Sequence, residues 1–230
     1  MIADLLTIPI LPMVLTLAAF YAGQRLQQKL KSPLLNPILT AVILVLIFLS
    51  VTGIPLQDYQ TGMKNLSWVL TPATICLAVP MYEQFQLLKK NLAAIAAGIA
   101  AGAVSCLVVI LVFCTLCRFS PELTISLLPK SITTAIGVVL SEMSGGMPGV
   151  TTAGIVFTGI FANIMGVAFC KVFRITDPIA QGVAFGTAGH VIGTSKANEL
   201  SPLTGAVSSL SLVVTGLLTA VILPLFINLI

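Results

Sequence analysis

Long apolar runs separated by short mixed stretches organise this chain. Residues 92–117, 147–170 and 200–230 carry no charged side chain, 37–54 is a further apolar run, and 5–21 is a looser one. A helix needs about 20 apolar residues to cross the hydrocarbon core of a bilayer. The runs therefore predict membrane-spanning helices, the last of them over about 203–229. Backbone groups in hydrocarbon must pair within the structure, which leaves helices or closed barrels, and these runs lack the alternation of barrel strands. The expected fold is an all-α polytopic membrane protein. It has about five long transmembrane helices in one transmembrane domain, residues 1–230.

Between the long runs lie segments of another kind, about 66–84, 128–146 and 178–199. Each mixes apolar residues with Gly, Pro, Ser, Thr and an ionisable group or two. They read as two or three interrupted or re-entrant segments, tolerated at membrane depth where protein or a wet cavity covers them. Basic residues set the orientation. Arg25, Lys29 and Lys31 mark one cytoplasmic loop, Lys89 and Lys90 a second, Lys171 and Arg174 a third. Simple crossing after Glu122 puts the third loop on the wrong side; a segment 128–146 that enters and leaves on one side repairs this. Two trios of opposite orientation result, and they are compatible with an inverted repeat of 36–118 and 147–230.

Composition narrows the class further. Apolar residues make up 57% of the 230 positions and charged residues 8%. A soluble domain carries about 25% charged residues, so lipid is the solvent for much of this surface. The net charge of +4 reads as loop Lys and Arg rather than a nucleic-acid patch. Asp4 before the first apolar run and cations after it reverse the charge order of a signal peptide, which makes 5–21 a first membrane helix with its N-terminus outside. Cys76, Cys106, Cys114, Cys117 and Cys170 all sit in apolar runs and read as small buried hydrophobes. No metal site and no cofactor are expected.

Three clusters carry candidate chemistry. The first is Lys130 followed by the hydroxyls of Ser131, Thr133 and Thr134. An ammonium beside a helix N-terminus suits a small carboxylate, because unpaired N–H groups and the helix dipole attract anions. The same residues also read as an ordinary helix start, with Pro129 near the first position and Lys130 snorkelling. In the second, Gly182, Gly186, Gly189 and Gly193 form one smooth stripe if the segment is a continuous helix. His190 and Thr194 then share a face, and Lys196 and Glu199 are neighbours. His190, the single histidine, is a candidate for substrate contact or for a proton relay or ion pair with Lys196 and Glu199, or else for a helix–helix hydrogen bond. The third cluster holds Pro72 and Thr74 ahead of Pro80; its prolines either kink or break a helix and free carbonyls as ligands, or mark a re-entrant loop that only packs. No nucleophile–base pair or soluble-enzyme motif appears, so the chain is not expected to be an enzyme.

At these clusters the chain resembles the LrgB/CidB family of membrane proteins. The residues are Leu34-Leu35-Asn36-Pro37, Pro72-Ala73-Thr74, Ala78 to Gln84, Leu128 to Thr134, Gly145-Gly146-Met147-Pro148, and the block from Gly186 to Glu199. Ala135 stands where the family commonly has Pro, and Ser195-Lys196 where it has Ala and an uncharged residue. The resemblance implies the bacterial inner membrane. It also implies antiholin-like or holin-like control of murein hydrolase activity and autolysis beside a small LrgA/CidA-type membrane partner. A fused plastid relative implies export of glycolate and glycerate, and other members imply pyruvate or acetate handling.

Two functions follow as expectations. One is a transporter of small monocarboxylates, proton-coupled if His190 carries the proton, with Lys130, Ser131, Thr133, Thr134, His190, Thr194, Pro72 and Thr74 at the substrate. The other is a holin- or antiholin-like pore or regulator that assembles with itself and with the small partner through stripes of small residues.

Overall fold

The computed structural model describes residues 10–30, 37–76 and 78–230, and all the described residues in regular structure are helical. The chain divides into two compact units, Met1–Cys76 and Leu77–Ile230.

In the first unit, α1 (Ile10–Leu30) packs on α2 (Pro37–Thr52) and on α3 (Leu56–Cys76). Ala19, Ala41, Val45, Leu49 and Ile54 form its core, and Thr16 Oγ1 meets the Tyr59 hydroxyl at 2.6 Å. Two expectations change here. The first helix runs past Tyr21 to Leu30, so Arg25 and Lys29 ride on a helix rather than a loop. Pro72 does not break its segment, because α3 continues through it to Cys76. Leu77, which follows, lies outside the described residues.

The second unit contains α4 (Ala78–Glu83), α5 (Phe85–Lys90), α6 (Leu92–Leu116), α7 (Pro121–Leu127), a 3₁₀ turn (Leu128–Ser131) and α8 (Thr134–Met143). It continues with α9 (Pro148–Val172), α10 (Pro178–Leu200) and α11 (Pro202–Ile227). Among the described residues, α6, α9 and α11 are long and apolar enough to cross a membrane, while α2, of 16 residues, is shorter. This makes the chain a helical membrane protein.

Two of the three interrupted segments belong to helical hairpins. Ser126 near the end of α7 and Ser141 near the end of α8 both touch Gly146, and Ser126 Oγ accepts the Met147 N–H at 2.7 Å. Thr151 Oγ1 donates to Ser141 Oγ at 2.6 Å. So α7 runs in, the 3₁₀ turn reverses the chain, and α8 returns. The second hairpin lies within α10, whose helix breaks at His190. A methyl on Gly193 would stand 2.6 Å from the Phe185 carbonyl oxygen, a contact no straight helix allows. Gly186 and Thr194 both meet Ser208 on α11. The glycines therefore do not form one continuous stripe: Gly182 and Gly186 face α11, while Gly193 lets the returning arm press against the outgoing one.

The same junction introduces each hairpin. After α6, Arg118 takes φ 54° and the Phe119 N–H reaches the Cys114 carbonyl at 2.9 Å; after α9, Arg174 takes φ 56° and the Ile175 N–H reaches Cys170 at 2.8 Å. A left-handed residue closes helix C-termini in this way. Ser120 and Asp177 then cap α7 and α10, each followed by proline at the first turn. This likeness pairs α6 and the first hairpin with α9 and the second. That is a different pairing from 36–118 with 147–230.

Close approach at Gly186 gives a first prediction. Gly186→Leu overpacks the α10–α11 contact and should destabilise by about 1–3 kcal/mol or more. Gly149→Leu, where nothing lies within 4 Å, should be silent in thermal unfolding of the purified protein. Hydroxyls give a second. Ser126→Ala orphans the Met147 N–H and should destabilise by about 1–3 kcal/mol. Ser209 is fully buried and makes no hydrogen bond, so Ser209→Ala should be neutral or stabilising. Equal losses in both serine variants would contradict this account.

Candidate functional site

The two hairpins approach α9 from opposite ends. The first has its base at Met147 and Thr151; the second has Ala197 and Phe185 against Cys170. Their tips meet near the middle of α9, between Gly154 and Gly159.

A single residue makes the second tip. His190 has φ 43° and ψ −139°, a conformation natural to glycine that holds any other residue roughly 1–3 kcal/mol above a relaxed backbone. Its surroundings enforce it. The Nε2–H donates to the Ile155 carbonyl oxygen on α9 at 2.9 Å, which fixes the tautomer. The ring fills the space left by Gly159, where a methyl would stand 2.6 Å from Cε1. Thr194 Oγ1 meets the His190 carbonyl oxygen and Ser208 Oγ, each at 2.8 Å. His190 is 4% exposed, and both it and Thr194 are engaged within the protein.

The first tip is the 3₁₀ turn. Pro129, with ψ 18°, leaves helical geometry, Ile132 is extended, and α8 starts at Thr134 with Thr133 in the capping position but making no side-chain cap. Ser131 is buried, Lys130 and Thr133 are half-buried, and Thr134 is exposed. The Lys130 Nζ lies 3.3 Å from Ser131 Oγ, and no carboxylate pairs with it among the described residues. Lys130 and Ser131 line a cavity of about 330 Å³ with Thr158, Phe161, Phe169 and Phe185.

The remaining expected residues fall elsewhere. Lys196 and Glu199 form an ion pair at 2.6 Å on the returning arm, partly exposed, and no hydrogen bond joins them to His190 among the described residues. Pro72 is an exposed residue of α3 in the first unit, and the Thr74 side chain lies outside the described residues. Sequence reading missed Asn163, whose amide donates to the Ile192 carbonyl at 3.0 Å and steadies the chain just after the break. It also missed Ser126, Ser141 and Thr151. Their signal was small polar residues at helical spacing inside or beside apolar runs, as in Thr204, Ser208, Ser211 and Thr215 on α11.

Comparison with known proteins now bears on this arrangement. The LrgB-like family model matches residues 16–229. The chain belongs to the LrgB-like family. The antiholin-like protein LrgB of Bacillus mycoides (strain KBAB4) is 35% identical over 184 residues, 80% of this chain and 80% of the relative. No solved structure matches. In this LrgB-family chain, Pro129 to Ser131 and Gly189 to His190, singled out by motif, are the tips of the hairpins.

The backbone at the second tip is directly testable. His190→Gly keeps the φ 43° turn open and should leave a folded protein, the relieved strain offsetting the lost ring hydrogen bond of about 1 kcal/mol. His190→Pro, locked near φ −65°, should abolish the monodisperse peak in size-exclusion chromatography. A folded proline variant would refute the reversal at this residue.

Proposed function

We propose that this chain is an antiholin-like protein of the bacterial inner membrane that controls membrane permeability and, through it, murein hydrolase activity and autolysis. The carrying observation is the 35% identity to an antiholin-like LrgB across four-fifths of both chains. Partnership with a small LrgA/CidA-type membrane protein, and self-association, belong to the same reading.

A second reading is favoured by the tips: a carrier for a small monocarboxylate of the glycolate, glycerate or pyruvate kind. If α9 spans the membrane, the hairpins re-enter from opposite faces and break at mid-depth. The N-terminus of α8 and the start of the returning arm of α10 then lie beside the half-buried Lys130. Helix N-termini and a cation that no carboxylate meets among the described residues suit an anion at that depth. Lys130, Ser131, Thr133 and Thr134 would meet the carboxylate; His190 and Thr194 would hold the opposing tip and complete the path for substrate or a coupled proton.

Liposomes holding the purified chain separate the two readings. The first predicts release of an inert dye that does not saturate with any carboxylate and changes when the small partner is added. The second predicts saturable uptake of radiolabelled glycolate or pyruvate, lowered at least tenfold in Lys130→Met. Dye retention together with saturable uptake would overturn the first reading; unchanged uptake in Lys130→Met would overturn the second.

A further inference from the structure

The cavity beside Lys130 is built for something less polar than a hydroxy acid. Among the described residues that line it, Lys130, Ser131 and Thr158 are the ones with a side-chain nitrogen or oxygen; the rest are Phe, Met, Ala, Gly, Ile and Cys. The Thr158 hydroxyl hydrogen is already given to the Gly154 carbonyl at 2.8 Å. That leaves one polar end, an ammonium beside a buried serine hydroxyl, and an otherwise apolar chamber. A carboxylate at that end takes charge-assisted hydrogen bonds from Lys130. A second hydroxyl further along the ligand finds at best the Thr158 oxygen, and burying an unpaired hydroxyl is unfavourable by about 1–3 kcal/mol.

The walls say how such a ligand arrives. Phe161 and Phe169 line the cavity and are 47% and 46% exposed, so the chamber is open along the face of α9 that carries them. Their rings belong to a row, Phe157–Phe161–Phe169–Phe173, with successive centroids 6.2 to 6.3 Å apart. Such a row offers an apolar approach from within the bilayer to the cavity. At about 330 Å³ the cavity is at the small end of ligand pockets, roughly 300–1,000 Å³. This favours a short or medium chain over a long one.

The geometry points to an apolar-tailed monocarboxylate, of the medium-chain fatty-acid class, as the ligand of this cavity, with its carboxylate on Lys130 and Ser131 and its tail among Phe161, Phe169 and Phe185. This deepens the carrier reading, on which it rests for the role of Lys130, by replacing hydroxy acids with apolar ones.

The test uses the full chain in nanodiscs, with radiolabelled octanoate as the probe and empty nanodiscs as the measure of partition into lipid. Saturable binding above that background is expected, displaced by unlabelled octanoate and at least tenfold less well by glycolate, glycerate or octanol. Lys130→Met should lose at least tenfold in affinity. Ala188→Phe, which leaves the cation and fills the chamber from α10, should lose as much. Binding no greater than in empty nanodiscs, equal displacement by glycolate, or unchanged affinity in both variants would overturn the assignment. The companion uptake assay separates the two ideas. Saturable glycolate uptake that octanoate fails to inhibit overturns the apolar-tail assignment and leaves the carrier reading standing. Lys130-dependent octanoate binding without any uptake upholds the site and removes the carrier reading.

Discussion

The constraint behind this architecture is that a chain cannot reverse in an apolar medium without finding partners for the backbone it unwinds. Both hairpins of the second unit answer it with packing on their neighbours. At the first, Ser126 supplies the acceptor for the Met147 N–H and Ser141 closes onto Thr151. At the second, Thr194 covers the His190 carbonyl, and Asn163 reaches from α9 to the Ile192 carbonyl. Serine, threonine and asparagine do here what water does for a loop in a soluble protein.

Smooth helices make that packing possible. Gly182 and Gly186 press on the backbone of α11, Gly98 and Gly102 admit Val183 and Thr187 from α10 against α6, and Gly159 admits the His190 ring. Association without a hydrophobic drive depends on such close approach. The strain at His190 persists because α9 and α11 fix the residues on both sides of it, so the energy stored in one φ angle is held by many weak contacts.

The apolar runs were legible because their length is a property of composition alone. Residues 92–117 and 147–170 stand within a few residues of α6 and α9. The tips were legible as motifs but not as geometry. Nothing in Gly186-Thr187-Ala188-Gly189-His190 distinguishes a glycine-lined helix from a reversal, since a glycine stripe serves both. The decision lies in tertiary partners, Ile155 and Ser208, that are far away in the sequence. Pro72 shows the converse, since of a kink and a break the break is not found. A proline within a helix can be carried when its lost bond is tolerated, as in α3, whereas Pro129, in the 3₁₀ turn, leaves helical geometry and sits at a true break. Lys196 and Glu199 were legible as neighbours three apart and do form an ion pair, on the arm that follows the break, with no hydrogen bond to His190 among the described residues.

One residue joins the two tips. The Ile155 carbonyl oxygen receives the His190 ring, and the Ile155 side chain packs against Gly137 of α8, where a methyl would stand 2.8 Å from its Cδ1. One residue earlier, Gly154 borders Lys130, and about one turn later Thr158 lines the cavity. A single stretch of α9 therefore senses the cation of one hairpin and the strained turn of the other. Packed interiors move between discrete arrangements rather than bending continuously. A swing of the second tip would break the histidine bond to the residue whose side chain packs against α8. Either function asks for such coupling: a carrier must not open both faces at once, and a regulator of permeability must hold a path closed until told otherwise.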